Sequence, residues 1–104
     1  MTDTDLVNAL RDCYDTLQQR NIVDIGLVQS AVLARDTEAP GASVRSLPPR
    51  YIARITLRAP SSDDTRNAHL RAQIENRLAG LAEISRTEIK MLPALFAILG
   101  GRRP

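Results

Sequence analysis

The stretch RNIVDIGLVQSAV, Arg20 to Val32, decides how the rest of the chain reads. Ile22, Val23, Ile25, Leu27 and Val28 are residues that favour a core, yet Asp24 and Gly26 stand among them. A carboxylate and a glycine two positions apart do not suit the middle of a helix or a strand. Glycine reaches positive φ without steric penalty, and an Asp beside it commonly bonds the amides of a turn. The segment therefore reads as an apolar turn that delivers the chain into a strand from about Leu27 to Arg35. Gln29, Ser30 and Ala31 make the alternation of that strand imperfect. Asp24 is expected to cap backbone amides in the turn, and to matter more to stability than Asp63 does. Its functional alternative is a polar contribution to a site near the start of the second helix.

Upstream, Thr2 and Asp5 are spaced as an N-cap and its acidic N3 partner. Leu6, Leu10, Tyr14 and Leu17 recur at helical spacing, flanked by Val7 and Cys13. They predict a helix over about 4–18, ended by the polar QQRN. Downstream, DTEAPGASVRSLPPR (36–50) has three Pro, one Gly and two Ser and no period, so a long, mobile hairpin loop is expected. In YIARITLRAP (51–60), Tyr51, Ala53, Ile55 and Leu57 alternate with Ile52, Arg54, Thr56 and Arg58, and Pro60 ends the strand.

SSDD at 61–64 reads as a helix start, a Ser cap followed by carboxylates at the positive end of the dipole. Leu70, Ile74 and Leu78 form the apolar stripe of this second helix, with Gly80 as its C-cap. A third strand over about 82–91 places Thr87, Ile89 and Met91 opposite Arg86, Glu88 and Lys90. In LPALFAILGGRRP, Pro93 suits the first turn of a short helix. The order helix, strand, strand, helix, strand and short C-terminal helix predicts an α+β two-layer sandwich with a mixed sheet. Residues 1–92 form the domain, and 93–104 a short apolar helix with a basic tail.

The totals bound the possibilities. At 104 residues the chain is one domain, and 43% hydrophobic with 25% charged residues is a globular composition. Tyr14, Tyr51 and Phe96 are the only aromatics, so the core is aliphatic. Net charge is +2, too small to imply a polyanionic partner. Thirteen of the fourteen cationic residues are Arg. Without stacking aromatics, this excess is a weak argument for nucleic-acid binding. A single cysteine, Cys13, excludes an intramolecular disulfide and a multi-thiolate metal site within one chain. No apolar run approaches the ~20 residues of a membrane span, and the expected compartment is a reducing cytoplasm.

Taken in this order, ALRDCYD followed by NIVDIGLV resembles the SufT/PaaD-like family of iron–sulfur cluster assembly factors, long catalogued as a domain of unknown function. Members of that family open with a helix ending in a YDPE box. They continue with NIVDLGLV, a strand hairpin, TxPGCP leading into the second helix, and a final strand. Tyr14 and Asp15 match the first box. Asn21 to Val28 matches the second, including Asp24 and Gly26, with Ile25 in place of Leu. ITLRAP, Ile55 to Pro60, matches the strand entering the third. The resemblance covers about residues 5–91. Two departures bear on function: Thr16 and Leu17 replace Pro-Glu, and Ser61 and Ser62 stand where the family carries its reactive Cys. A hydroxyl is a poor substitute for the soft thiolate that iron–sulfur ligation uses. The loop 36–50 is also longer than the family hairpin.

Other candidates for chemistry are few. Cys13 reads as a buried small hydrophobe, with a thiolate shared across a dimer as the alternative. His69 has no second His at ligand spacing, and Asp63 with Asp64 is chiefly a helix-start signal. No Ser-His-Asp order, Gly-rich phosphate loop or zinc motif is present. The run holding Leu95, Phe96, Ile98 and Leu99 is apolar on more than one helical face, so part of it is left for an interface, as in a homodimer.

The resemblance implies a non-enzymatic assembly or maturation factor that works by docking proteins, and the serines in place of the family Cys imply that it holds neither cluster nor cofactor. The alternative is a degenerate interaction subunit of another complex with no metal role. Protein partners are expected, and neither nucleic acid nor membrane.

Overall fold

The computed structural model describes residues 1–15, 18–39, 44 and 47–94. Helix α1 runs Asp3–Leu10 and opens on the expected capping box: Thr2 Oγ1 accepts from Asp5 N, and Asp5 Oδ2 accepts from Thr2 N. Leu6, Ala9 and Leu10 are buried, and Arg11 caps the C-terminal end.

This corrects the helix expected over 4–18. The chain turns after Leu10, and Tyr14–Asp15 (β1) pairs antiparallel with Arg20–Asn21 (β2). Cys13 takes the core position, while Tyr14, which the helical stripe would have buried, is 49% exposed. Tertiary contacts override the local period here: the hairpin carries Asp15 to a buried cationic partner that a continued helix would not reach. Leu17, the last member of the expected stripe, lies outside the described residues.

After β2 comes the apolar turn. Ile22 is wholly buried, whereas Val23, Ile25 and Leu27 are half-buried. Gly26 has φ +78, and a Cβ there would meet no atom. Backbone conformation, not space, therefore selects glycine at this position.

Strand β3 (Val28–Arg35) pairs antiparallel with β4 (Tyr51–Arg58), and β5 (Ile84–Leu92) pairs parallel with β4. The sheet order β3-β4-β5 is mixed, as expected. The crossover between the parallel strands is helix α2, Asp64–Ala79. Its N-cap is Asp63, whose Oδ1 accepts from Thr65 N and Arg66 N; this corrects the expected Ser cap. Ser61 Oγ instead accepts from Asp63 N and holds the cap in place. Gly80 closes the helix in right-handed conformation.

Both helices lie on one face of the sheet, α1 against β3 and α2 against β5. Between the layers sit Leu6, Leu10, Ile55, Leu57, Ile74 and Leu78. The architecture is the α+β two-layer sandwich expected from the sequence.

The segment 36–50 joins β3 to β4, and its ends are tied. Asp36 N donates to Arg50 O, and Ser85 Oγ donates to Asp36 Oδ2. Its expected mobility falls partly on residues outside the described ones. The expected C-terminal helix and the candidate interface Leu95, Phe96, Ile98 and Leu99 also fall on residues outside them. Among the described residues, no helix is long and apolar enough to cross a membrane.

Candidate functional site

Three turns of α2 hold the segment that leaves α1. Arg77 Nε donates to Asp12 Oδ2 (2.8 Å). Gln73 Oε1 accepts from Tyr14 N (2.8 Å), and Gln73 Nε2 donates to Tyr14 O (3.0 Å). Arg66 Nη2 donates to Asp15 Oδ1. Positions 66, 73 and 77 lie within about 40° of one another on a helix of ~100° per residue. One polar stripe beside the apolar Leu70, Ile74 and Leu78 therefore reads residues 12, 14 and 15 in succession.

Asp15 is the centre of this site. Its side chain is 1% exposed, and that of Arg66 17%. Gln18 N donates to the other carboxylate oxygen. Burial acts to raise the Asp15 pKa, but the Arg66 guanidinium and the Gln18 amide outweigh it and hold the group below the ordinary 3.8. Asp15 is therefore ionised at neutral pH and engaged on both oxygens. Next to it, Asn67 Nδ2 donates to Ser61 O. The Tyr14–Asp15 box and the Ser61–Ser62 position thus meet at the first turns of α2. A cleft of about 380 Å³ opens beside them, lined in part by Asn67, Arg71, Met91 and Pro93. Among the described residues, Arg66 Nε and Asn67 Oδ1 are buried without a partner.

The second box forms a separate network. Asn21 Oδ1 accepts from Val23 N (3.1 Å) and Asp24 N (2.8 Å). Asn21, not Asp24, is the residue that caps the amides of this turn, which corrects the role expected of Asp24. Asp24 accepts instead from Asn21 Nδ2 and Arg11 Nη1. The Asn21 bond, then Arg11, holds its carboxyl below the ordinary value.

The donors available for a metal–sulfur group are poor. Cys13 is buried, and desolvation pushes its thiol up to about 11, so at neutral pH it is a protonated core side chain rather than a thiolate. Ser61 and Ser62 offer hydroxyls where a thiolate would be needed. Among the described residues, no three His, Cys, Asp or Glu side chains converge as metal ligands. The residues present do not suit a thiolate-held iron or cluster. His69 is exposed.

Sequence reasoning missed Arg66, Gln73 and Asn67. The signal for two of them was present: Arg66, Gln73 and Arg77 share a helical period that apolar patterning does not count.

No family model and no curated protein matches the sequence. Among solved structures, the chain is similar to the crystal structure of a domain of unknown function, DUF59, from Bacillus anthracis. The two are 18% identical, with a TM-score of 0.67, covering 97% of this chain and 92% of that one. The fold is thus that of a DUF59 domain.

Proposed function

We propose that this chain is a non-enzymatic factor that docks other proteins during iron–sulfur cluster or metalloprotein maturation, in a reducing compartment, without carrying a cluster itself. The observation that carries the reading is the DUF59 fold along nearly the whole chain. The NIVDIGLV resemblance to the SufT/PaaD-like family supports it from the sequence side. The donors, a protonated buried Cys13 and two serines, support the absence of a bound cluster. Asp15 supports the non-enzymatic part. A carboxylate held ionised by Arg66 and Gln18 does not cycle a proton near neutral pH.

The test is deletion of the gene followed by assay of the host's iron–sulfur enzymes and of their apoprotein levels. The reading expects reduced activity with apoprotein retained, restored by the intact chain and equally by Cys13→Ser. Unchanged iron–sulfur activities would overturn it in favour of the interaction subunit with no metal role. In this reading the chain also self-associates as a homodimer through Leu95, Phe96, Ile98 and Leu99. Light scattering that gives a monomer at high micromolar concentration would remove that part.

A further inference from the structure

We infer that the open face of the three-stranded sheet docks an acidic, amphipathic segment of a partner protein. The inference deepens the docking role proposed above and rests on it. Both helices cover one face of the sheet, and alternation leaves Arg54 and Arg58 of β4, and Arg86 and Lys90 of β5, pointing to the other. Glu88 is the one carboxylate among the outward positions of these two strands. It is shared between Arg54 Nε (3.1 Å) and Arg86 Nη2 (3.4 Å). Among the described residues, Arg58 reaches a backbone oxygen, that of Pro93, and no carboxylate. Four cations thus stand against one carboxylate.

The opposite layer has the reverse balance. Residues 1–24 and 61–80 hold eight Asp or Glu against five Arg. The small net charge of the chain therefore hides a segregation of charge between its two faces.

The open face is also graded across its width. On β3 the outward side chains are Ser30, Val32 and Ala34, and Val32 is 42% exposed. A depression of about 270 Å³ between β4 and β5 is lined in part by Arg54, Thr56, Glu88 and Lys90. An exposed Val32 beside a cationic strip is the complement of a segment with Leu- or Val-like residues on one side and carboxylates on the other. Arg forks match carboxylates in geometry, and Glu88 already shows that pairing on this surface. Protection of sheet edges would explain charges on β5. It does not explain Arg54 and Arg58, which stand on the central strand.

Single-stranded nucleic acid fits less well. No aromatic stands among the outward positions for a base to stack on, and Glu88 repels phosphate. A second copy offering its acidic helical layer would bind head to tail and leave both ends open.

The experiment is an amide chemical-shift titration at low salt with a synthetic peptide of Leu and Glu in helical amphipathic order. The same is repeated with a Leu/Lys peptide and a ten-nucleotide single-stranded DNA. The Leu/Glu peptide is expected to shift the amides of 32, 54, 56, 86 and 90. Its affinity should fall about tenfold at 0.3 M salt and as much in Arg54→Glu with Lys90→Glu, while Arg20→Glu on the other side of the molecule leaves it unchanged. If the double reversal fails to fold, Arg54→Gln with Lys90→Gln replaces it, with the same direction expected. Shifts confined to the helical layer, no shifts at millimolar peptide, or DNA bound as tightly at the same face would overturn the proposal. Complementation of the deletion strain separates the two readings. A double variant that restores iron–sulfur activity as well as the parent does would sink the sheet surface and leave the maturation role standing. A deletion with no iron–sulfur defect would sink the role and leave the titration to decide the surface.

Discussion

Asp15–Arg66 and Asp24–Arg11 are the same two residue types at the same separation, 2.5 Å in both pairs, yet they differ in consequence. Asp15 is 1% exposed at the side chain and Arg66 17%, whereas Asp24 and Arg11 are 48% and 47% exposed. Water solvates the second pair whether or not its partners meet. It barely reaches the first, so each member of that pair depends on the other for most of its solvation. Distance alone would rank the two pairs together; burial separates them. The buried pair joins β1 to α2, elements far apart in sequence, while the exposed one only braces a turn against the end of α1.

The sharpest way to break this contrast is at Asp15. Asp15→Ala strands a mostly buried guanidinium, and the expected loss is about 3–5 kcal/mol, read from urea denaturation. Because the cost is that of a stranded charge, Asp15→Leu combined with Arg66→Met should lie much closer to the parent than Asp15→Ala does. A loss for Asp15→Ala no larger than that of Asp24→Ala would end the distinction.

Acid titration tests the same carboxylate without removing its bulk. The folded pKa of Asp15 is lowered from 3.8. Its contribution is therefore fully present above the unfolded value and is lost as pH falls below 3.8 through the folded one. Asp5, Asp24 and Asp36 are lowered as well, so the parent alone does not isolate it. Asp15→Asn should be less stable than the parent at pH 6, and the gap should narrow as the pH falls below 3.8. A gap that stays constant over this range would mean that Asp15 is not ionised in the folded protein.

The two pairs also mark what the sequence makes legible. The sheet, α2 and the sandwich follow from apolar period, because Ile55, Leu57, Leu70, Ile74 and Leu78 are buried by area alone. Gly26 was legible because positive φ has a residue signature. The end of α1 was not. Tyr14 and Leu17 continue its period, and what stops the helix is a contact with Arg66, Gln73 and Arg77 some sixty residues away. Patterning also cannot say which of two neighbouring polar residues caps a turn. Asn21 and Asp24 carry interchangeable acceptors, and only the backbone path puts Asn21 Oδ1 beside the two amides.

Asn21 and Asp63 supply the intermediate steps. Asn21→Ala leaves the amides of Val23 and Asp24 without their acceptor, the first in a part-buried setting. An unsatisfied buried amide costs about 1–3 kcal/mol, so Asn21→Ala should stand well below the parent in urea midpoint. Asn21→Asp, which keeps the acceptor, should recover much of the loss. Asp63→Ala removes the N-cap of α2 at a site water can reach, and about 1 kcal/mol is expected. Asn21→Ala with no more effect than Asp63→Ala would show that the turn amides find water instead.

Asp24→Ala should have the smallest effect of the set, the reverse of what its place in the apolar stretch suggests. Among the described residues its carboxylate satisfies no backbone amide; it accepts from the exposed Arg11 and the half-buried Asn21. Removing it returns the Arg11 guanidinium to water, where it was already half solvated, and leaves both bonds to Asn21 Oδ1 in place. Exposed ion pairs contribute little and are screened by salt. The expected outcome is a urea midpoint closer to the parent than that of Asp63→Ala, with the remaining difference shrinking between low salt and 1 M sodium chloride. The Asp15→Ala deficit should keep most of its size over the same change, because counterions do not enter the site. If Asp24→Ala were instead the more damaging of the two exposed variants, and salt left its deficit unchanged, the carboxylate would be orienting Asn21 rather than pairing with Arg11. In that case Asn21→Ala and the double variant Asn21→Ala with Asp24→Ala would have the same midpoint.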